Sequence, residues 1–519
     1  MQRTLGATLA VAALLWMPSA SAQEGGGTAV IAIDADPGHF NPGITTGANV
    51  HVVADSMFNG LVGLDEDLSP VPDLATRWEV SDDSREYTFH LAPNVRWHDG
   101  EPFTADDVKF TFENVLFEHH SRTKAGLGDV VAEIATPDER TVVFRMKEPY
   151  GPLLQRLDVT EAPILPKHVF ETGGDPAGHP ANLAPVGTGP FRLASYEAGD
   201  TVTLERNPDY FKDGLPHLER LIFRVIPDET TQVLALQQGE VDYVNRVPLA
   251  DVERLEEADG IALLESSTGA GGGNCIMTVS FNLEREVVQP LEVRQAIADA
   301  IDRQRVVDQV LFGWGAVAEA PISSAIAWAH WPPSLESYEH DPAKAEELLD
   351  AAGRAADGNG ARFTIDMVHF PTFNKYAEVM KQDLAGVGID LVSRPLDRAA
   401  TVEAIFAQRD FDTNLISYCN GTDPDIGVKR MYVSSNIGPV PFSNAAAYRN
   451  EKVDELFDAA GRTSEREARS QAYHEVQEIL GRELPYWWLV ETTFVTGHRD
   501  TLEGFSPWTG QFAERARYK

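Results

Sequence analysis

Between Phe363 and Ser417 the chain alternates short apolar runs with longer stretches of helical period, and few folds accept that order. Phe363 to His369 reads as a strand, Tyr376 to Ala385 as a helix, and Gly388 to Val392 as a strand. Ala399 to Ala407 reads as a second helix and Phe411 to Ser417 as a third strand. Strands joined through helices of that length become parallel neighbours in a sheet covered by those helices. The grammar recurs earlier: Leu221 to Ile226 is a strand, Pro227 to Gln238 a helix, and Gly239 to Tyr243 closes the unit. Thr28 to Asp34 (TAVIAID) is a further short, β-branched strand. At 519 residues the chain is too long for one core. The predicted architecture is α/β, with two lobes each built on a mostly parallel, helix-covered sheet. No repeat relates the halves.

Between the first strand and the first β-α-β unit lies a segment of different character. Tyr87-Thr-Phe-His-Leu91 alternates at the period of a half-buried strand, and His98-Asp-Gly100 turns. Thr104 and Asp107 stand at the spacing of a capping box, with Asp as a shorter stand-in for the usual Glu. Phe103 and Val108 occupy the staple positions across that cap, and Val108, Phe112 and Val115 are predicted to continue one apolar helical face. A helical stretch is expected at Val52 to Leu61, and the whole of 51–185 is expected to be an inserted α+β subdomain.

Several words in this chain are similar to one family. WHDG and PFTADDV within Arg96 to Glu113, Pro72-Asp-Leu-Ala75, and Pro185-Val-Gly-Thr-Gly-Pro-Phe191 resemble the family 5 extracytoplasmic solute-binding proteins. These serve ABC importers of peptides, nickel and opines. The resemblance spans nearly all of the chain after its first residues and implies a two-lobed periplasmic-binding-protein clamp of type II. That clamp has an extra α+β subdomain, with lobes joined by a hinge. The implied bounds are 1–22 for a signal peptide, 23–50 with 186–272 and 490–519 for the first lobe, 51–185 for the insert, and 273–489 for the second lobe. Leu484 to Val490 would carry the chain back to the first lobe. The implied function is capture of a small solute, a peptide or peptide-like compound, between the lobes. Delivery to a membrane permease and its ATPase would follow, with no chemistry done.

The N-terminus agrees with export. Arg3, an apolar run from Leu5 to Trp16, and Ala20-Ser-Ala22 read as a cleavable secretory signal. No Cys follows that site, which argues against a lipid anchor. The expected location is the periplasm, as a monomer. The net charge of −37 repels nucleic acid and anionic lipid and favours solubility. Two cysteines, Cys275 and Cys419, remain in an oxidising compartment. The resemblance puts both near the cleft, and sequence leaves open whether they pair.

Enzyme signatures are weak. His474-Glu475 lacks the second His of a metalloprotease helix, no G-x-S-x-G elbow is present, and His119-His120 do not share a helical face. Gly269 to Asn274 lacks the Lys-Ser/Thr of a phosphate loop and reads as a hinge. No cofactor, metal site or catalytic residue is expected. The resemblance implies a ligand-binding set of His39, Phe40, Asn41, His369, Phe373, Tyr418, Cys419, Asn420, Asp423 and Trp488. Peptide-binding relatives carry an acid for the free α-amino group where this chain has Asn420. Dipeptide-binding relatives use an Arg in the segment that here reads His369 to Asn374, where none is present. An amide lacks the charge that a buried ammonium requires. Asp423 is a possible substitute or a plain turn cap. The alternatives to a peptide on this scaffold are an opine, a sugar derivative or a metal chelate. A secreted hydrolase and a chemoreceptor-feeding binding protein are the rivals from other classes.

Overall fold

The computed structural model describes residues 26–266, 274–335, 337–507 and 509–519. The expected signal segment and the Gly269–Gly273 part of the expected hinge lie outside them. Two large sheets and one smaller one organise the chain. The first has seven strands in the order Ile261–Ser266, Phe494–Arg499, Tyr243–Val244, Thr28–Ile33, Arg220–Val225, Thr201–Arg206 and Phe191–Glu197. The second has six, in the order Ala316–Val317, Tyr486–Thr492, Cys275–Phe281, Thr413–Cys419, Phe363–His369 and Ile389–Pro395.

The helix-linked strands pair in parallel, as the alternation predicts. Thr28–Ile33 lies parallel to both Arg220–Val225 and Tyr243–Val244. Phe363–His369 lies parallel to both Ile389–Pro395 and Thr413–Cys419. The crossover helix Glu229–Gln238 is capped by the Asp228 side chain on the Thr231 N–H and stopped by Gly239 at φ 72°. Neither sheet is mostly parallel, however. Hairpins such as the one around Gly199, together with the strands that pass between the lobes, flank the parallel centre of the first sheet with antiparallel strands, whereas in the second sheet the antiparallel strands lie to one side of a parallel edge. Both sheets are mixed because a strand entering from the other lobe has no crossover helix to reverse it.

Several elements are shifted from the sequence reading. The helix expected at Val52 to Leu61 is Ala48–Ala54, and the one expected at Ala399 to Ala407 is an α-helix Arg398–Val402 running into a π turn Glu403–Ala407. Tyr486–Thr492 stays in the second sheet, pairing with Cys275–Phe281, so the chain crosses at Thr493, past the expected boundary at 490.

The inserted segment forms a four-stranded antiparallel sheet, Ala75–Val80, Glu86–Leu91, Thr141–Met146 and Val131–Asp138, over its own apolar cluster. Its capping box is formed: the Asp107 carboxylate accepts from the Thr104 N–H at 2.8 Å. Phe103, Val108 and Trp97 are buried together. The α-helix ends at Thr111, and Phe112–Leu116 is a π turn. The Thr111 hydroxyl bonds the Asp107 carbonyl one turn back and also accepts from the Leu165 N–H, which competes with the regular ladder.

The two strongest sequence words meet in space. His98 accepts from the Gly187 N–H through Nδ1, and its Nε2 bonds the Gly189 carbonyl at 3.1 Å. A Cβ on Gly187 would overlap the Met57 carbonyl oxygen. The insert also touches the second lobe. Leu68 is buried in that lobe's core, the Ser464 N–H donates to Ser84 Oγ at 3.0 Å, and Thr422 Oγ1 donates to the Gln155 carbonyl at 2.9 Å.

Candidate functional site

The strand directions locate a cleft. In open α/β sheets, ligands meet the carboxyl ends of parallel strands. In the first lobe Tyr243–Val244 pairs antiparallel with His498 and Gly497, and the Val247 N–H donates to Val495 O. Its carboxyl end therefore runs toward Thr493, where the chain crosses. In the second lobe Thr413–Cys419 pairs antiparallel with Cys275–Phe281, which sets Cys419 beside Cys275, the first residue of the strand that enters the lobe. Both carboxyl edges thus point at the crossing and face one another across it. Thr493 Oγ1 bonds the Ser266 carbonyl at 3.2 Å, so the two crossings are tied together. Cys275 and Cys419 form a disulfide, which fastens the second-lobe edge to its own entering strand.

At the second-lobe edge a cavity of about 510 Å³ is lined by Phe370, Pro371, Thr372, Phe373, Arg398, Ser417 and Phe442. Each wall follows from the fold. Phe370 to Phe373 leave the carboxyl end of one parallel strand, Arg398 opens the helix after the next, and Ser417 belongs to the third. Phe370 and Phe373 pack edge-to-face at 5.8 Å. Phe370–Phe373 and the end of the strand that leads to Asn420 are therefore neighbours, although 44 residues separate Phe373 from Ser417.

The loop after Thr413–Cys419 is held from behind. Asn420 is buried; its Oδ1 accepts from the Ser323 N–H at 2.8 Å and its Nδ2 donates to the Tyr418 carbonyl at 3.4 Å. Asp423 is fully buried, accepts from the Asp425 N–H, and pairs with Arg469 at 2.6 Å. Arg469 also donates to the Ala460 carbonyl and the Tyr473 hydroxyl, and the Trp328 ring lies 5.2 Å from its guanidinium. Burial opposes that guanidinium's charge, but Asp423 outweighs it and raises the pKa. Tyr418 is buried with Arg430 6.0 Å from its ring, and burial raises the phenol's pKa.

The remaining second-lobe candidates are core residues. His369 is fully buried, bonds the Phe370 carbonyl through Nδ1 at 2.9 Å and Ser393 Oγ through Nε2 at 2.8 Å, and burial lowers its pKa. Trp488 is fully buried and donates to the Tyr432 hydroxyl at 2.9 Å. Of the second-lobe candidates only Phe373 and Cys419 are half-exposed. The others are buried, with only the Tyr418 hydroxyl and one Asp423 carboxylate oxygen left without a hydrogen-bond partner among the described residues, and they shape the site through the residues they hold.

The first-lobe edge carries a smaller cavity, about 140 Å³, whose walls include Thr46, His51, Arg122, Thr160, Asn245 and Gly510. His51 Nδ1 meets Asp55 at 2.8 Å and its Nε2 meets the Thr45 carbonyl at 3.0 Å. With Asp55 ionised both partners accept, an arrangement that suits a ring carrying two protons. Burial works against that charge, while the charge and hydrogen bond of Asp55 raise the pKa above its ordinary value. A Cβ on Gly510 would collide with the Asp55 carboxylate, so only glycine lets the chain pass there.

The three first-lobe candidates divide. Half-buried His39 uses Nδ1 to accept from the Asn41 N–H at 3.2 Å, and burial, then the His51 charge, lower its pKa. Phe40 is in the core against Tyr196, with ring centroids 5.0 Å apart. Asn41 is a buried cap: it accepts from the Gly43 N–H and donates to Asn182.

Arg398, Arg430, Arg469 and His51 escaped the sequence reading. Only Arg398 carried a legible signal, as the first residue after an Asp cap beyond a strand's carboxyl end. Among the described residues no group of three or more His, Cys, Asp and Glu is arranged to hold a metal ion. No helix among them is long and apolar enough to cross a membrane. The arrangement can enclose a solute between two edges whose polar groups are largely pre-ordered.

Comparison with known proteins gives a consistent neighbourhood. The model of bacterial extracellular solute-binding proteins, family 5, matches residues 69–439. A Brucella ovis protein provisionally named an ABC transporter peptide-binding protein is 32% identical over 463 residues, 86% of this chain and 84% of that one. The glutathione-binding protein GsiB of Salmonella typhi is 28% identical over 461 residues, covering 87% and 86%. Among solved structures, the periplasmic binding protein DppA of Helicobacter pylori in complex with the peptide STSA superposes with a TM-score of 0.76. It is 25% identical, covering 95% of this chain and 98% of that one.

Proposed function

The chain belongs to the family 5 bacterial extracellular solute-binding proteins, and on that premise we propose that it captures a peptide or peptide-like solute between its lobes for an ABC importer. One observation carries the reading: both carboxyl edges point at a two-strand crossing, with a cavity on each side. Ligand contacts made on both edges at once exist only when the lobes are together. The solute therefore stabilises that form by its differential affinity, and the membrane permease reads it. The work is uptake rather than catalysis, done in the periplasm after removal of residues 1–22.

The state of the second-lobe loop bears on the class of solute. Asn420 is engaged with backbone, and Asp423 is neutralised by Arg469. Asp425 carries Lys429 at 3.3 Å. Each acid of that loop already faces a cation of the protein, so a ligand ammonium would compete with Arg469 or Lys429. This favours a peptide-like solute whose amino end is blocked, modified or held elsewhere. The candidate contacts are Phe373 and Cys419 on the second lobe and His39 on the first.

Native mass spectrometry of the protein as purified, followed by calorimetry with the compound it retains, tests the proposal. Binding at nanomolar to micromolar concentration with no turnover is expected. Conversion of the retained compound, abolished by one acid or hydroxyl substitution, would sink it.

A further inference from the structure

The second-lobe cavity has an unusual electrostatic feature for a chain with a net charge of −37. Its single charged wall is a cation, Arg398. The guanidinium lies 6.0 Å from the Phe370 ring and 5.9 Å from the Phe442 ring. No carboxylate pairs with it among the described residues, whereas Arg394, on the preceding strand, holds both Asp366 and Asp410. The neighbouring acid, Asp397, is committed to capping the helix through the Ala400 N–H at 2.9 Å. Arg398 is exposed, so water rather than a protein acid now solvates its charge.

Phe442 supplies independent evidence. It sits at φ 60°, a left-handed conformation that strains a bulky residue and clusters at ligand clamps. That backbone carries its ring against Phe406 at 5.8 Å and to within reach of Arg398. The cavity thus offers three aromatic rings, two hydroxyls in Thr372 and Ser417, and one planar cation held over two of the rings. A guanidinium so placed keeps its edge for a planar two-oxygen anion, while the rings receive an apolar body.

We propose that this cavity is a subsite for a carboxylate borne on an apolar or aromatic group, with Arg398 as the residue that sets specificity. It rests on the reading that a solute binds between the lobes, and it names the solute's acidic end.

N-acetylphenylalanine and its amide, titrated into the whole mature protein and followed by Arg side-chain ¹⁵N–Hε NMR, test the subsite without any knowledge of the full solute. The carboxylate is expected to shift the Arg398 signal and to bind roughly tenfold tighter than the amide. Arg398→Gln should erase that preference and leave the amide unchanged, with Arg398→Lys restoring only part because it lacks the fork. Phe442→Ala should weaken both probes. Equal binding of acid and amide, absence of binding by either, or an unaltered preference in Arg398→Gln would overturn the assignment. Failure of the broader peptide reading looks different. Peptides would then not bind, while the wild type still told the small acid from its amide.

Discussion

Replacing Arg469 with Met isolates one buried charge at the base of the ligand loop. Asp423 is fully buried and the Arg469 side chain 5% exposed, so water cannot take over when the guanidinium is removed. Breaking a buried pair from one side typically costs about 3–5 kcal/mol, because the remaining carboxylate is stranded. Losses at Ala460 O and Tyr473 OH add to this, while Met keeps most of the apolar stem packed under Trp328. Asp423→Asn removes the charge yet retains an oxygen for the Asp425 N–H. The double variant should therefore recover much of the loss, with a coupling energy of about 2 kcal/mol or more. Urea unfolding of ligand-free protein, followed by tryptophan fluorescence, is the assay, since Trp328 reports from the site itself. The chain has two lobes, so the second-lobe transition must be fitted by itself. Solute affinity should fall with stability, because the loop that begins at Tyr418 loses its anchor. A single-variant cost below about 1 kcal/mol, or strictly additive variants, would refute the reasoning.

Three further outcomes are expected. Asp158, in a cavity of about 520 Å³ beside Asp73 and Lys212, has its pKa pushed up to about 7 by burial and then by the Glu161 charge. Its folded pKa exceeds the unfolded 3.8, so the folded state binds more protons between those values and stability falls as pH rises through that window. The slope from this one group is at most about 1.4 kcal/mol per pH unit, and thermal melts of Asp158→Asn should lose that component. An Asp158→Asn melting profile with the wild-type pH dependence would refute it. Gly187→Ala should destabilise the protein by about 1–3 kcal/mol, because the new methyl overlaps the Met57 carbonyl and must push the His98 contacts apart. Chemical denaturation measures it, and an unchanged midpoint would count against the close approach. Asn420→Asp keeps an acceptor for the Ser323 N–H but sets a carboxylate oxygen against the Tyr418 carbonyl. It should shift preference toward solutes with free amines, and calorimetry giving equal affinities for a peptide and its acetylated form would refute this.

Features governed by local chemistry were legible in the sequence. The capping box at Thr104–Asp107 and the helix-linked strands of both lobes appear where the residue pattern puts them. Boundaries drifted where a side chain competes with the ladder, as at Thr111, or where tertiary pairing outlasts the apolar run, as at Thr492. The candidate site was legible mainly as a place. Phe40, His369 and Trp488 have the composition of binding residues, yet each is buried in a lobe core, and nothing in their local sequence distinguishes a ring in a core from one in a cleft. Arg469 lies 46 residues from Asp423 and Ser323 lies 97 from Asn420, so no spacing rule links them.

By itself, then, the sequence determined the α/β architecture, the insert with its capped helix, and the family. Each rests on short-range periodicity, turn chemistry and words of a few residues. Only the tertiary structure decided which polar groups are spent on other parts of the protein and which remain for a solute. It buried Asn420 and Asp423 behind the loop, turned the carboxyl edges of both sheets toward one crossing, and left Arg398 without an acid among the described residues, beside three phenylalanines. Availability depends on burial and on partners distant in the chain, and those are set only when the sheets assemble.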